Sequence, residues 1–204
     1  MNITIVGSGN VGRALGAAWK KAGHRITYAA RDPASDKAAE LKAAGFAVVA
    51  LNAAQNADVV VLAIPWSGVA TTVPALTLPG KVLVDATNPL TPSLELALGL
   101  SDSAGETVAR LSPRARVVKA FNTTGAGNLA NSSYPGARII MPIASDDAEA
   151  KTIVMSLASD LGFEPFDVGP LAMSRYLEPM AMLWIKLAYA QGMGGEFGFA
   201  ILRR

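Results

Sequence analysis

The start of the chain limits its possible folds more than any other segment. Ile3-Thr4-Ile5-Val6 is a short β-branched apolar run, and Gly7-Ser8-Gly9-Asn10-Val11-Gly12 follows it without a gap. Arg13 to Lys21 then reads as a helix and Arg25 to Ala29 as a second strand. A G-x-G-x-x-G by itself says little. One that closes a strand and opens a helix inside a βαβ unit points to a dinucleotide-binding fold. The three glycines differ in what they allow. Gly7 permits the tight turn, Gly9 lets a pyrophosphate approach the backbone, and Gly12 lets the helix lie close to the sheet. Ser8, Asn10 and Val11 complete the loop. Its N–H groups and the positive end of the helix dipole suit phosphate oxygens.

The rest of the chain keeps the same rhythm. Phe46 to Ala50, Asp58 to Ile64, Lys81 to Asp85 and Ala115 to Lys119 read as strands. Helical patterns at Pro33 to Ala44, Ser67 to Ala75 and Ser101 to Arg110 lie between them, and Pro33 suits a first helical position with Asp32 as its cap. Asp58 to Ile64 is apolar almost throughout, as a strand covered on both faces must be. A strand at Arg138 to Met141, a helix at Asp146 to Asp160, a strand at Gly162 to Phe166 and a last helix from Ser174 to Gln191 complete the pattern, with the glycines at 192, 194 and 195 ending that helix. This predicts an α/β protein: a Rossmann-type, doubly wound, mostly parallel sheet with a short C-terminal helical appendage. Residues 1–168 would form the nucleotide-binding domain, and residues 169–204 would contribute to the acceptor site and a subunit interface without being an independent domain.

Composition removes several classes of chemistry. There is no cysteine, so disulfides, thiolate metal sites and a cysteine nucleophile are excluded, and the single histidine, His24, rules out multi-histidine metal sites. No metal is expected. The 18 basic and 16 acidic residues leave a net charge of +2, which makes no case for nucleic acid or an anionic membrane. Met1 leads straight into the first strand, and the apolar stretch Met180 to Ala190 is too short to span a bilayer. A cytoplasmic protein acting on a small molecule is expected. The apolar run Met180 to Ile185 near the chain end points to a homodimer.

Site residues follow from the fold. An acidic residue after the second strand marks NAD-type sites, whereas an arginine there accommodates a 2′-phosphate. Arg31 holds that position, and its planar fork suits a phosphate, so NADP(H) is the expected cofactor. Ligands of open α/β sheets lie outside the carboxyl ends of the strands. Ile64-Pro65-Trp66 and Ala86-Thr87-Asn88-Pro89 leave the fourth and fifth strands at that edge. Ile64 would wall the nicotinamide, and the Asn88 amide with the backbone of Pro65, Ala86 and Pro89 would hold its carboxamide. Trp66 fits that role and simple core cover equally well. Asn122 and Thr123 leave the sixth strand at the same edge. Lys119, just before them, reads as a charged strand end, and His24 lies at the opposite edge.

From Met1 to about Gly195 the chain resembles the NADP oxidoreductases that use the deazaflavin coenzyme F420, and it is similar to the reductase domain of the STEAP metalloreductases. The resemblance rests on Gly7 to Gly12, Ala63-Ile64-Pro65-Trp66, Asp85-Ala86-Thr87-Asn88-Pro89, Val118-Lys119-Ala120-Phe121-Asn122-Thr123 and Gly169-Pro170-Leu171-Ala172-Met173-Ser174-Arg175, in that order. It implies an NADP(H)-dependent enzyme that passes hydride to coenzyme F420, FMN or FAD. Asn122, Thr123, Ser174, Arg175, Met193 and Gly194 would then meet the acceptor, with Asn122, Thr123 and Ser174 positioning it. Glu178, three residues after Arg175, offers that arginine a surface ion pair as the plain alternative. The family carries Ser-Arg where this chain has Ala30-Arg31, and histidine where it has Asn122. Other functions compatible with the motifs are reduction of a small imine or carbonyl compound, reduction of ferric iron through a flavin, and non-catalytic NADP(H) sensing.

Overall fold

Asn2–Val6 forms β1, and Asn10–Lys21 forms α1, whose inward positions Gly12, Leu15, Gly16 and Trp19 recur at helical spacing. The computed structural model describes all 204 residues. The remaining elements are β2 (Arg25–Ala30), α2 (Asp36–Ala43), β3 (Ala47–Ala50), β4 (Val59–Leu62), α3 (Val69–Thr72), β5 (Val82–Asp85), α4 (Ala104–Leu111), β6 (Arg116–Lys119), α5 (Ala126–Ala130), β7 (Ile140–Ala144), α6 (Ala148–Asp160), β8 (Glu164–Gly169) and α7 (Ser174–Ile185). One eight-stranded sheet results, in the order β3-β2-β1-β4-β5-β6-β7-β8. The first six strands are parallel, and β7 meets β6 antiparallel. The pair β7–β8 is again parallel and therefore runs opposite to the rest. The reversal of strand order between β1 and β4 opens the ligand crevice at their carboxyl ends.

Two cores cover the sheet. On one face Leu15 and Trp19 of α1 pack with Leu41 of α2, Leu129 of α5 and Val154 and Leu157 of α6 on Ile3, Ile5, Val61 and Val84. On the other, Val69, Val73, Leu76 and Val108 pack on Val6, Val60, Leu62 and Leu83. The central strands β4 and β5 are buried along their whole length, as their unbroken apolar runs require.

Several elements differ from expectation. The helix expected at Ser67 to Ala75 breaks into a 3-10 turn (Trp66–Gly68), the single turn α3 and another 3-10 turn (Val73–Leu76), because Pro74 cannot donate to the ladder. α2 begins at Asp36 rather than Pro33. Asp32 does not cap it but accepts from the Ala34 N–H at 2.8 Å in a local turn. α4 begins at Ala104, where Ser103 and Glu106 form a reciprocal cap. β7 and β8 both lie a few residues later than the apolar pattern suggests, and α5 is additional. The last helix is α-helical only to Ile185 and widens to a π turn over Lys186–Ala190.

Candidate active site

The loop after β1 has the shape its glycines imply. Gly7 sits at φ 117°, and a Cβ there would run into the Ala63 carbonyl; one on Gly12 would run into the Gly7 carbonyl. A Cβ on Gly9 would meet nothing within 4 Å, so this glycine faces open space at the helix start. No side chain caps α1 and its first turn carries no acid. Free N–H groups therefore meet open volume, a cradle that fits a pyrophosphate. The Arg13 Nε–H donates to the Ser8 carbonyl at 2.9 Å and steadies the loop. Beneath it the Tyr28 hydroxyl donates to the Gly12 carbonyl at 3.0 Å. Burial pushes the Tyr28 phenol up to about 12, against the opposing pull of the Arg13 charge. Arg31 follows β2 directly, is exposed, and forms no ion pair; Asn10, Ser8 and Val11 line the rest of the cradle.

At the carboxyl edge Ile64 and Pro65 leave β4 partly open to solvent, and Ala86 and Pro89 flank the chain leaving β5. Trp66 is half-buried and lies against the second core, so packing accounts for much of it. Asn88 and Asn122 are paired. The Asn88 side-chain amide donates to the Asn122 carbonyl at 2.9 Å, and the Asn122 amide donates to Asn88 Oδ1 at 3.1 Å. Asn88 thus retains one N–H and one lone pair for a ligand. Asn122 and Thr123 are themselves buried. Phe121, just before them, sits at φ 61°, a left-handed conformation unusual for an aromatic residue. It is held there by a buried edge-to-face contact with Trp19, with ring centroids 5.3 Å apart. Nothing in the local sequence signals this turn.

Two charged residues are placed differently from expectation. Lys119 is no exposed strand end. Its ammonium is fully buried, 3.0 Å from Asp85, 2.9 Å from Glu178 and 2.6 Å from the Thr87 carbonyl. Glu178 makes no surface pair with Arg175. It is buried and also accepts from the N–H groups of Ala104 and Gly105, so it caps α4 from α7. Burial of a charge is tolerated only where such partners surround it. Arg175 instead forks onto Glu106, at 2.6 and 2.9 Å.

Residues 2–89 match the family model described as NADP oxidoreductase, coenzyme F420-dependent. A structure from Arthrobacter sp. FB24, provisionally designated an F420-dependent NADP reductase, superposes with a TM-score of 0.88 at 30% identity, covering 98% of this chain and 99% of that one. The chain belongs to the coenzyme F420-dependent NADP oxidoreductase family. A hypothetical protein from Sinorhizobium meliloti matches at 34% identity and a TM-score of 0.75, over 85% of this chain and 87% of its own. The rat metalloreductase STEAP3 is 30% identical over 182 residues, 88% of this chain; the match spans only 36% of that longer protein. As a family member the chain is an NADP-dependent oxidoreductase on a Rossmann-like sheet.

On this F420-dependent NADP oxidoreductase scaffold the expected acceptor residues do not converge. Ser174 is fully buried against Gly105, with its hydroxyl unpartnered, and Arg175 is committed to Glu106. Met193 and Gly194 lie beyond the far end of the same helix, exposed. That far end borders a cleft of about 640 Å³ running from Asn10, at the phosphate cradle, past Gly125 to Asn128 at the start of α5, to Trp184, Tyr189, Gly195 and Glu196. Trp184 forms a fitted wall: a Cβ on Gly125 would collide with its indole, and Phe197 stacks on its other side at 5.1 Å. The Phe197 carbonyl accepts from both Trp184 Nε1 and Asn128 Nδ2, which pins the C-terminal segment across the cleft. The motifs identify Gly194 as the neighbour of this cleft but not Gly125, Asn128 or Trp184. Their role depends on α5, which is too short to show a period.

Proposed function

We propose that this chain passes hydride from NADPH to the flat ring of a deazaflavin such as coenzyme F420, or of a flavin. Residues 1–168 bind the dinucleotide, and residues 169–204 close the acceptor side. The observation that carries the reading is the aromatic-walled cleft opening directly from the phosphate cradle at Asn10. Its volume lies within the usual range for ligand sites, roughly 300–1,000 Å³. When bound, NADPH supplies the hydride at its nicotinamide C4. Gly9 and the α1 N-terminus hold the pyrophosphate, and Arg31 binds the 2′-phosphate. Ile64, Pro65 and Asn88 fix the nicotinamide, with Asn122 locking the Asn88 amide from behind.

No side-chain nucleophile is required. The chain has no cysteine, and His24 is held at the amino edge by the Met1 amine at 3.2 Å and by Asp160 at 3.0 Å. Alignment of two bound rings suffices, since good positioning supplies roughly 7–11 kcal/mol of a barrier. The unpartnered apolar positions along α7 also support a homodimer. Mixing the protein with NADPH and, separately, coenzyme F420, FMN, FAD and riboflavin tests the reading. Loss of NADPH absorbance with at least one ring acceptor is expected. NADPH binding without oxidation by any of them contradicts it.

A further inference from the structure

Three charges are buried where the carboxyl ends of β5 and β6 meet α7. The Lys119 ammonium lies 3.0 Å from Asp85 and 2.9 Å from Glu178, and all three side chains are cut off from solvent. A buried ion cluster adds little stability over well-packed apolar side chains, so stability alone does not explain its place here. Its hydrogen bonds lead to the nicotinamide side. Both backbone groups of Thr87 are gripped: its N–H donates to Asp85 Oδ1 at 2.9 Å, and its carbonyl accepts from Lys119 at 2.6 Å. The next residue is Asn88. A second link runs beside the first, since the Asn122 amide donates to Asn88 Oδ1 at 3.1 Å and to the Leu177 carbonyl of α7 at 3.3 Å. Glu178, beside Leu177, also holds the first N–H groups of α4. Thr87 Oγ1, Asn122 Oδ1 and Ser174 Oγ, the buried side-chain atoms that make no hydrogen bond, all belong to this junction. Buried polar groups left unsatisfied cost stability, which again sets geometry above stability here.

We propose that Lys119 is a positioning residue for hydride transfer. It ties the loop that aims Asn88 at the nicotinamide to α7, which carries the Trp184 wall of the acceptor cleft. The two ring-holding parts of the chain thus keep one spacing. The proposal rests on the hydride reading and names the residue that sets its geometry. A double variant, Lys119→Met with Asp85→Asn, removes the ammonium, keeps the cluster's net charge at one excess carboxylate and leaves Glu178 its donors on α4. Asp85→Asn alone changes the net charge and keeps Lys119 between Thr87 and Glu178. NADPH is titrated into each, the fluorescence lifetime of its bound nicotinamide is read, and its oxidation by the faster of coenzyme F420 and FMN is followed in a single turnover. In the double variant the lifetime should shorten toward that of free NADPH, and transfer should slow roughly a hundredfold, the usual scale for a misplaced reactant. NADPH affinity, held mainly by the phosphates, should change little. Asp85→Asn alone should show much smaller losses.

Hydrogen exchange on the parent protein decides the matter even where the double variant does not fold. NADPH should slow amide exchange across α4 and α7, whereas adenosine 2′,5′-bisphosphate, which fills the phosphate end without a nicotinamide, should not. The proposal is overturned by an unchanged lifetime and rate in the double variant, or by equal losses in Asp85→Asn alone, which would assign the effect to charge. It is also overturned by a rate that falls only in step with NADPH affinity, or by exchange that is alike with the two ligands. A parent that binds NADPH but passes hydride to neither acceptor refutes the hydride reading. The lifetime and the exchange pattern then decide whether Lys119 fixes the nicotinamide.

Discussion

Arg31 stands alone at the end of β2 with no carboxylate partner, free to meet a 2′-phosphate. Removing one charge-assisted phosphate contact costs about 1.5–3 kcal/mol. Arg31→Ala should therefore weaken NADPH binding roughly tenfold to a hundredfold and leave NADH nearly unchanged, as read by calorimetry. Equal losses for both cofactors would show that Arg31 does not read the phosphate. The close approaches at Gly7 and Gly12, the open space at Gly9 and the exposed place of Arg31 after β2 are legible from sequence because each depends on its neighbours along the chain. The Lys119–Asp85–Glu178 cluster is not, because β5, β6 and α7 contribute one residue each. Periodicity along any one of them suggests only exposed charges. The left-handed turn at Phe121 is hidden for the same reason, since its ring is held by Trp19 from α1.

α4 shows how an element at the edge of the site is secured. Ser103 caps it, Glu106 completes the cap, and Arg175 of α7 grips Glu106. The Arg175 guanidinium, and after it the Ser103 hydroxyl, outweigh burial and hold the Glu106 carboxyl below its ordinary value of 4.5. A carboxylate with a lowered folded-state value stabilises the fold above its unfolded value, and that contribution is lost as the pH falls through the folded one. Thermal melts should thus show the parent protein more stable than Glu106→Gln at pH 7, with the difference shrinking progressively as the pH falls below the ordinary carboxylate value of 4.5. A difference that is as large in acid as at pH 7 would mean that the ion pair does not secure this junction. The strongly periodic elements, α1, α6 and the buried strands, are legible in the sequence. The reversed direction of β7 and β8 is not, because an apolar run carries no sign of its polarity within a sheet.

For the whole molecule, that reversal matters to the site. It returns the start of β7 to the carboxyl edge, where the Ile140 N–H donates to the Phe199 carbonyl at 2.9 Å and holds the C-terminal segment against the cleft. Part of the apolar stretch expected at a subunit interface is used internally, since Ala181 and Trp184 are buried. Tyr176, Leu183 and Tyr189 remain 68%, 52% and 70% exposed along one helix. Light scattering at micromolar concentration should give about twice the 21.1 kDa chain mass, and Leu183→Glu should reduce it to one. A monomer mass for the parent would count against the dimer. The proposed direct transfer between two rings aligned by the chain leaves an isotopic trace. NADPH deuterated at C4 is mixed with the most efficient ring acceptor and the reaction is stopped within one turnover. Deuterium from one face of C4 should appear on the carbon of a reduced deazaflavin, or, for a flavin, as a primary isotope effect on its reduction. An unlabelled deazaflavin, or flavin reduction at the same rate from either isotope in a single turnover, would contradict direct transfer.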